Sequence, residues 1–322
     1  MALSAAPITT VANVSPNRED LKDSIWDVSP EEVPFTSGCS RMSANATTVE
    51  WQTDVLAAAA DNFVAEGEEA AFSAATDTVR KSNQTQILAK TAKTSGTVDA
   101  VDKAGLAKQM AYQIVRRAKE IKRDFERACV GVNVIAAPGT TRKLASYTTW
   151  VKTGADGNAV MAGNGTLGAQ GVALVPGNTP AAFTETLLEN TIDACFIAGG
   201  NPDVIMMGAY NKRVLNTFAG SAAVDTSGAY AIREAKDMKI INAVSIYESD
   251  YGIMKVVPNR FSSTKEVLVY EKEFWGIAEL RGMQTNQLAK TGDSDAKQVI
   301  YEATLVAKNP NSSGGVYDCT DA

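Results

Sequence analysis

Histidine is absent from this sequence, and that absence removes a great deal of chemistry. Histidine is the side chain whose unperturbed pKa lies in the neutral range, and it is the commonest metal ligand. Ser-His-Asp and Cys-His machinery therefore have no base to work with. Cysteine is sparse: Cys39, Cys129, Cys195 and Cys319 stand far apart, with no Cys-X-X-Cys pair to seed a zinc site. Cys129 and Cys195 fall in apolar runs and read as reduced core residues. Positive charge is in deficit, with 31 Lys and Arg against 37 Asp and Glu for a net of -6. That balance argues against a chain whose main task is gripping nucleic acid, although one face could still touch it. No apolar run approaches the roughly 18 to 20 residues of a membrane helix. Met1 to Pro7 has no basic segment leading into an apolar run, so no secretory signal is read there and synthesis in the cytoplasm is expected. Catalysis by carboxylates, lysine or a bound cofactor survives these exclusions. So does no catalysis at all.

What is present is ordinary globular usage: 322 residues, 45% apolar and 21% charged, enough for two domains or for one core with large insertions. The front of the chain does not read as a compact unit. Residues 1 to 48 hold Pro7, Pro16, Pro30 and Pro34, with one brief helix expected from about Ser15 through Trp26 and Pro30 breaking anything longer. Thr47 to Leu56 alternates as a strand, with Val49, Trp51 and Thr53 on one face. A loop rich in Ala and Glu runs from Ala57 to Thr78, and Asn83 to Val98 reads as the return strand. Two strands around so long a loop make a hairpin with little core of its own, and an isolated hairpin is marginally stable. Such a hairpin is expected to lie on a neighbouring subunit. A disordered N-terminal region is the alternative, but Trp51, Phe63, Phe72, Ile87 and Leu88 are anchors that disorder usually lacks.

From Asp102 to about Val132, apolar residues recur at Leu106, Met110, Ile114, Ala118, Ile121, Phe125 and Ala128. Steps of three and four put them on one stripe of a helix roughly 40 Å long. Arg116, Lys119, Arg123 and Arg127 form a second line opposite. Such a line is ordinarily a solvated face. Here residues 1 to 80 hold four basic and thirteen acidic side chains, whereas residues 103 to 127 hold eight basic and three acidic. An acidic arm and hairpin, with Glu66, Glu68 and Glu69 near the loop tip, suit docking onto a basic helix of a sister copy.

Residues 136 to 182 are glycine-rich and read as loop. Gly163-Asn-Gly165-Thr-Leu-Gly168 matches the dinucleotide fingerprint letter for letter, but the chemistry needs a buried strand before it and a helix after it. Neither is predicted, so a flexible surface loop is expected and no cofactor. An α/β segment follows: a helix over Thr184 to Ile197 with Thr184 as N-cap and Gly199-Gly200 ending it, a buried strand over Asp203 to Met207, and a helix over Tyr210 to Phe218. Paired strands are expected at Ala243 to Glu248 and Gly252 to Val257. The end is mostly β, over Glu266 to Phe274, Trp275 to Met283 and Lys297 to Ala307, with a loose tail beyond Asn309-Pro310.

This order of parts resembles the major capsid proteins of tailed bacteriophages, and local segments carry the resemblance further. Asn17 to Leu21, Ile25 to Phe35, Glu50 to Asp54, Ala65 to Glu68, Gln84 to Gln86 and Lys290 to Asp293 are similar to one subfamily of phage major head proteins. The resemblance implies an α+β chain with the Hong Kong 97-like fold. Its parts would be an N-terminal arm over 1–48, a long hairpin over 49–101, a peripheral domain over 102–182 with its spine helix, an axial domain over 183–262, and peripheral strands with a tail over 263–322. It implies pentamers and hexamers closing into an icosahedral head around double-stranded DNA, with a separate scaffolding protein, a portal, and decoration protein as an optional addition. It implies neither membrane nor cofactor, no catalytic or metal residues, and a virion location. The intersubunit contacts expected are Trp51, Phe63, Glu66, Glu68, Glu69, Phe72, Arg116, Lys119, Arg123 and Arg127. Two other readings stay open: the shell of a non-viral nanocompartment with the same fold, and an enzyme using Glu66, Glu68 and Glu69 or Asp293 and Asp295.

Overall fold

The structure, a computed structural model, describes residues 29–69, 72, 77–101, 108–131, 133–135, 141–152, 157–169, 171–172, 174–218, 245–290 and 292–320. The brief helix expected near residues 15 to 26 lies outside the described residues, as do residues 102–107, where the long helix is expected to begin, and the tract 219–244. In chain order the front half gives α1 (Pro34–Gly38), β1 (Ser40–Ser43), β2 (Thr48–Thr53), β3 (Val79–Gln84), β4 (Gln86–Ser95), α2 (Gly96–Ala100) and α3 (Gln109–Val130). The middle adds α4 (Tyr147–Trp150), β5 (Asn158–Met161), α5 (Glu185–Ile197), β6 (Val204–Met207) and α6 (Ala209–Leu215). The last part supplies β7 (Ile246–Ser249), β8 (Gly252–Pro258), β9 (Val267–Tyr270), β10 (Trp275–Gln287), β11 (Ser294–Ala307) and β12 (Gly314–Tyr317). No helix among the described residues is long and apolar enough to cross a membrane.

Among the described residues three sheets form. The first has the order β1-β10-β11-β4, the second β5-β12-β9-β6-β8-β7, and the third is the pair β2-β3. The central strands β12, β9 and β6 of the second sheet are buried on both faces, and β9 and β6 alternate between two cores. Val204, Met206, Leu268 and Tyr270 face one, while Ile205, Met207, Val267 and Val269 face the other. Helices α5 and α6 cover the latter with Leu188, Ile192 and Leu215. Helix α5 begins and ends as its sequence requires: the Thr184 hydroxyl accepts from the Leu187 amide, and Gly199 takes a positive φ of 86° just past the end.

The long helix holds to its apolar stripe. Met110, Ile121, Phe125 and Cys129 are buried, and Phe125 meets Tyr301 of β11 edge-on at 5.2 Å. Lys90 of β4 pairs with Glu120 and Asp124 of α3 at 3.3 and 2.7 Å. With no capping side chain at Lys108, the first turn is capped from outside, the Gln109 amide donating to the Asp99 carboxylate.

Three expectations are corrected. The return strand of the hairpin is not Asn83 to Val98: β3 pairs with β2, and after Thr85 the chain leaves that ribbon as β4 to pair with β11. Threonine-rich sequence has no hydrophobic period that would mark the change of partner. Residues 136–182 are not all loop, because Leu144 to Val151 are buried in the larger core and Tyr147 donates to the Val269 and Gly314 carbonyls at 2.9 and 2.8 Å. Nor is the tail loose. Strand β12 lies between β5 and β9, wholly buried, and Gly314 is needed because a Cβ there would come within 2.6 Å of the Asn158 oxygen.

The front of the chain also has an internal partner. Phe35 is fully buried, with Tyr147, Tyr270 and Trp275 around it at ring distances of 6.0, 5.3 and 6.0 Å. Glu126 of α3 accepts the Phe35 and Thr36 amides at 2.9 and 2.8 Å and the Asn259 side-chain amide at 2.7 Å. The carboxylate thus fastens α1, α3 and the end of β8 together.

Two outcomes follow. Phe35→Ala should lower the stability of the purified subunit by about 3–5 kcal/mol in urea, the range for emptying a buried aromatic site, whereas Phe63→Ala should stay within about 0.5 kcal/mol. Burial raises the Glu266 carboxyl to about 8, partly opposed by Lys152. Between the unfolded carboxylate range and that value, only the folded state holds this proton. Its contribution is therefore complete at low pH and shrinks as pH rises towards 8, at about 1.4 kcal/mol per unit. Glu266→Gln should flatten that part of the stability–pH profile, measured by denaturation at pH 5, 6.5 and 8.

Candidate assembly surfaces

The chain beyond β2 carries several exposed apolar side chains. Beyond β2, Val55, Leu56, Phe63 and Val64 stand in solvent, with Phe63 92% and Phe72 100% exposed. Glu66, Glu68 and Glu69 are exposed among them. Gly67 turns the tip at φ 81°, and the Glu68 carboxylate accepts the Ala65 amide at 2.9 Å. Apolar side chains cost about 1.5–3 kcal/mol each to leave in water rather than bury, so this loop is a surface in want of cover. Trp51 is different. It is half-buried, its ring 5.2 Å from that of Trp150, so it has the internal partner that its sequence context did not suggest.

The four cations of α3 do not act as one line. Arg116 pairs with Glu120 in its own helix at 3.5 Å, and Lys119 reaches Glu31 of the same chain at 2.6 Å. The pairing of acidic arm with basic helix is thus made within one subunit at this point. Arg123 is half-buried and Arg127 exposed, and neither has an ion-pair partner among the described residues. Arg127 lines an open groove of about 620 Å³ with Gln86, Asp124, Asn133 and Ser262 at the C-terminal end of α3. A cation is favoured there by the helix dipole.

A second exposed apolar patch was not legible in the sequence. Phe196 and Ile197, the latter 85% exposed, end α5, and Phe196 stacks on Tyr251 in the β7–β8 turn at 4.5 Å. Ile253 and Ile246 are also exposed, on the face of β7–β8 opposite to Met254 and Tyr247. The available signal was Phe196-Ile197 falling outside the buried positions of its own helix. Asp193 and Asp250 border it, and their charge together with burial raises the Tyr251 phenol.

The glycine fingerprint has a definite role, though not the one its letters spell. Strand β5 does precede it, contrary to expectation, but no helix follows; Thr166 instead bridges to Val175. The amides of Gly165 and Gly177 donate to Asp318 of the same chain at 3.0 and 3.1 Å. A Cβ on Gly163 would lie 2.3 Å from that carboxylate. The loop therefore cradles an anion, as glycine-rich backbones do, but the anion is its own buried aspartate. Among the described residues no three His, Cys, Asp or Glu side chains are grouped to hold a metal ion.

A family model described as SU10 major capsid protein matches residues 7–320. The major capsid protein of Escherichia phage Phieco32 is 27% identical over 329 residues, covering 90% of this chain and 91% of that protein. Among solved structures, the capsid of a native GTA particle computed with C5 symmetry superposes with a TM-score of 0.66 at 13% identity, covering 98% of this chain and 100% of that one. A chain from Microbacterium phage Oxtober96 gives a TM-score of 0.64 at 14% identity, covering 98% and 99%. The shared architecture is the α+β Hong Kong 97-like fold. With a family match over nearly its whole length and a full-length relative of the same kind, the chain belongs to the SU10 major capsid protein family, whose members are structural subunits of the phage shell.

Proposed function

We propose that the segment joining β2 to β3 is the part of the subunit that engages a sister copy, and that the shell closes through it. The observation carrying this reading is the set Val55, Leu56, Phe63, Val64 and Phe72, left in solvent while Phe35, Tyr147, Tyr270, Trp275 and Tyr317 are buried. Covering these side chains on each of many copies multiplies a modest contact by symmetry, which suits a shell. Glu66, Glu68 and Glu69 are placed to meet cations, and Arg123 and Arg127 offer charge that no described carboxylate takes up. Trp51 holds the root of the hairpin rather than its contact face, while Arg116 and Lys119 contribute through residual charge.

In the same reading, residues 183–262 form the axial lobe around pentamers and hexamers, and residues 102–182 and 263–322 form the periphery behind the arm of 1–48 and the hairpin of 49–101. The second sheet runs across that division, so the two lobes are hydrogen-bonded to each other. The chain is made in the host cytoplasm and assembles with a separate scaffolding protein and a portal, with room for a decoration protein outside. A net charge of -6 gives packaged DNA no strong general grip, which suits a container that must empty. A shell role asks no catalysis of these carboxylates: Glu66, Glu68 and Glu69 are exposed, and Asp295 is engaged with Lys290. No observation favours the nanocompartment reading over a phage head.

Replacing residues 55–77 by a short glycine-containing turn should leave a subunit with unchanged circular dichroism that forms no shells by electron microscopy. Closed shells from that variant would sink the proposal. Substituting Glu66, Glu68 and Glu69 together by Lys should raise the concentration needed for assembly about tenfold, equivalent to ~1.4 kcal/mol per contact. It should also abolish the salt sensitivity of assembly, followed by light scattering.

A further inference from the structure

The root of the hairpin is bound by more buried polar contacts than a ribbon of six-residue strands needs. Asn83, the penultimate residue of β3, is fully buried. Its side-chain amide donates to the Ala145 and Leu305 carbonyls at 3.2 and 2.7 Å, and its oxygen accepts the Gln84 and Ala145 amides at 2.9 Å each. Thr85 alone separates β3 from β4 and is also fully buried. Its amide donates to the Thr47 carbonyl at 2.8 Å, and its hydroxyl donates to Glu302 at 3.0 Å. Glu302 of β11 is buried between two cations, accepting from Arg142 and Arg281 at 2.6 Å each. It stands opposite Arg281 on β10 and Ile87 on β4, at the place where the β10–β11 register shifts.

The chain thus changes from the two-stranded ribbon to the four-stranded sheet at one residue, and that residue is tied to a carboxylate fixed from two other directions. We infer that Thr85 and Glu302 are positioning residues for assembly: they set the angle at which the hairpin leaves the body, and with it the curvature of the shell. This rests on the reading that the loop bears on a sister copy. A six-residue strand spans about 20 Å, so a tilt of ~10° at the root moves its far end by roughly 3–4 Å, enough to lose a packed contact.

The test uses Thr85→Val, which keeps shape and removes only the hydroxyl, with Thr85→Ser as the conservative control and Glu302→Gln as the stronger lesion. Hydrogen exchange is read on the unassembled subunit, and particle diameters are read by electron microscopy after assembly. Thr85→Val should leave circular dichroism unchanged. Exchange should rise about tenfold over residues 79–84 relative to 299–307, and the single particle size should become a spread of sizes and open fragments. Thr85→Ser should restore both. Glu302→Gln, where it folds, should move both readouts in the same direction and further. Uniform shells with unchanged exchange would overturn the inference. So would an equal rise across 79–84 and 299–307, which marks an ordinary core defect, or lost shells with no change at 79–84. Because exchange is measured before assembly, this failure is separable from that of the loop's role, which the loop replacement tests independently.

Discussion

The ladder between β10 and β11 is the constraint on which the rest of this subunit depends. It lies towards the end of the chain, yet β1 adds to one side of it and β4 to the other, from roughly two hundred residues earlier in the sequence. Helix α3 then packs across β4 and β11, with Phe125 on Tyr301 and Lys90 paired to two of its carboxylates. Until the last third of the chain is present, neither the arm root nor the hairpin root has a sheet to join. Folding of so non-local a β structure is expected to be slow on topological grounds.

Buried polar groups, rather than apolar area alone, choose the geometry around that ladder. Glu126 gathers α1 and the end of β8 onto α3, Asn83 and Glu302 fix the hairpin root, and Asp318 holds the glycine-rich loop. Apolar surfaces tolerate sliding. A buried carboxylate left without its donors costs far more than the net worth of any one bond, so these points admit few alternatives. For a shell subunit that is useful, because a small angular error in one copy is repeated in every copy. The body is therefore specified by polar nodes, while Val55, Leu56, Phe63, Val64 and Phe72 beyond β2 and Phe196 and Ile197 at the end of α5 are left exposed.

Much of this arrangement could be read before any coordinates. The step of three and four from Met110 to Ala128, the Thr184 cap and the run Val204 to Met207 are local signals, and each produced the element its spacing demands. The glycine run at 163–168 shows the limit of such reading. Its backbone does bind an anion, but nothing nearby in sequence says that the anion is Asp318, 153 residues from Gly165.

The residue pattern by itself determined the long helix, the α/β segment, the absence of histidine chemistry and a long loop after β2, because each depends on composition or on neighbours within a turn or a strand. Only the tertiary structure decided that Phe35 belongs to the core, that β3 and β4 serve different sheets, and that the glycine-rich end is a buried strand. Those outcomes depend on which distant backbone offers an unpaired ladder or an aromatic pocket. Side-chain periodicity carries no record of that partner.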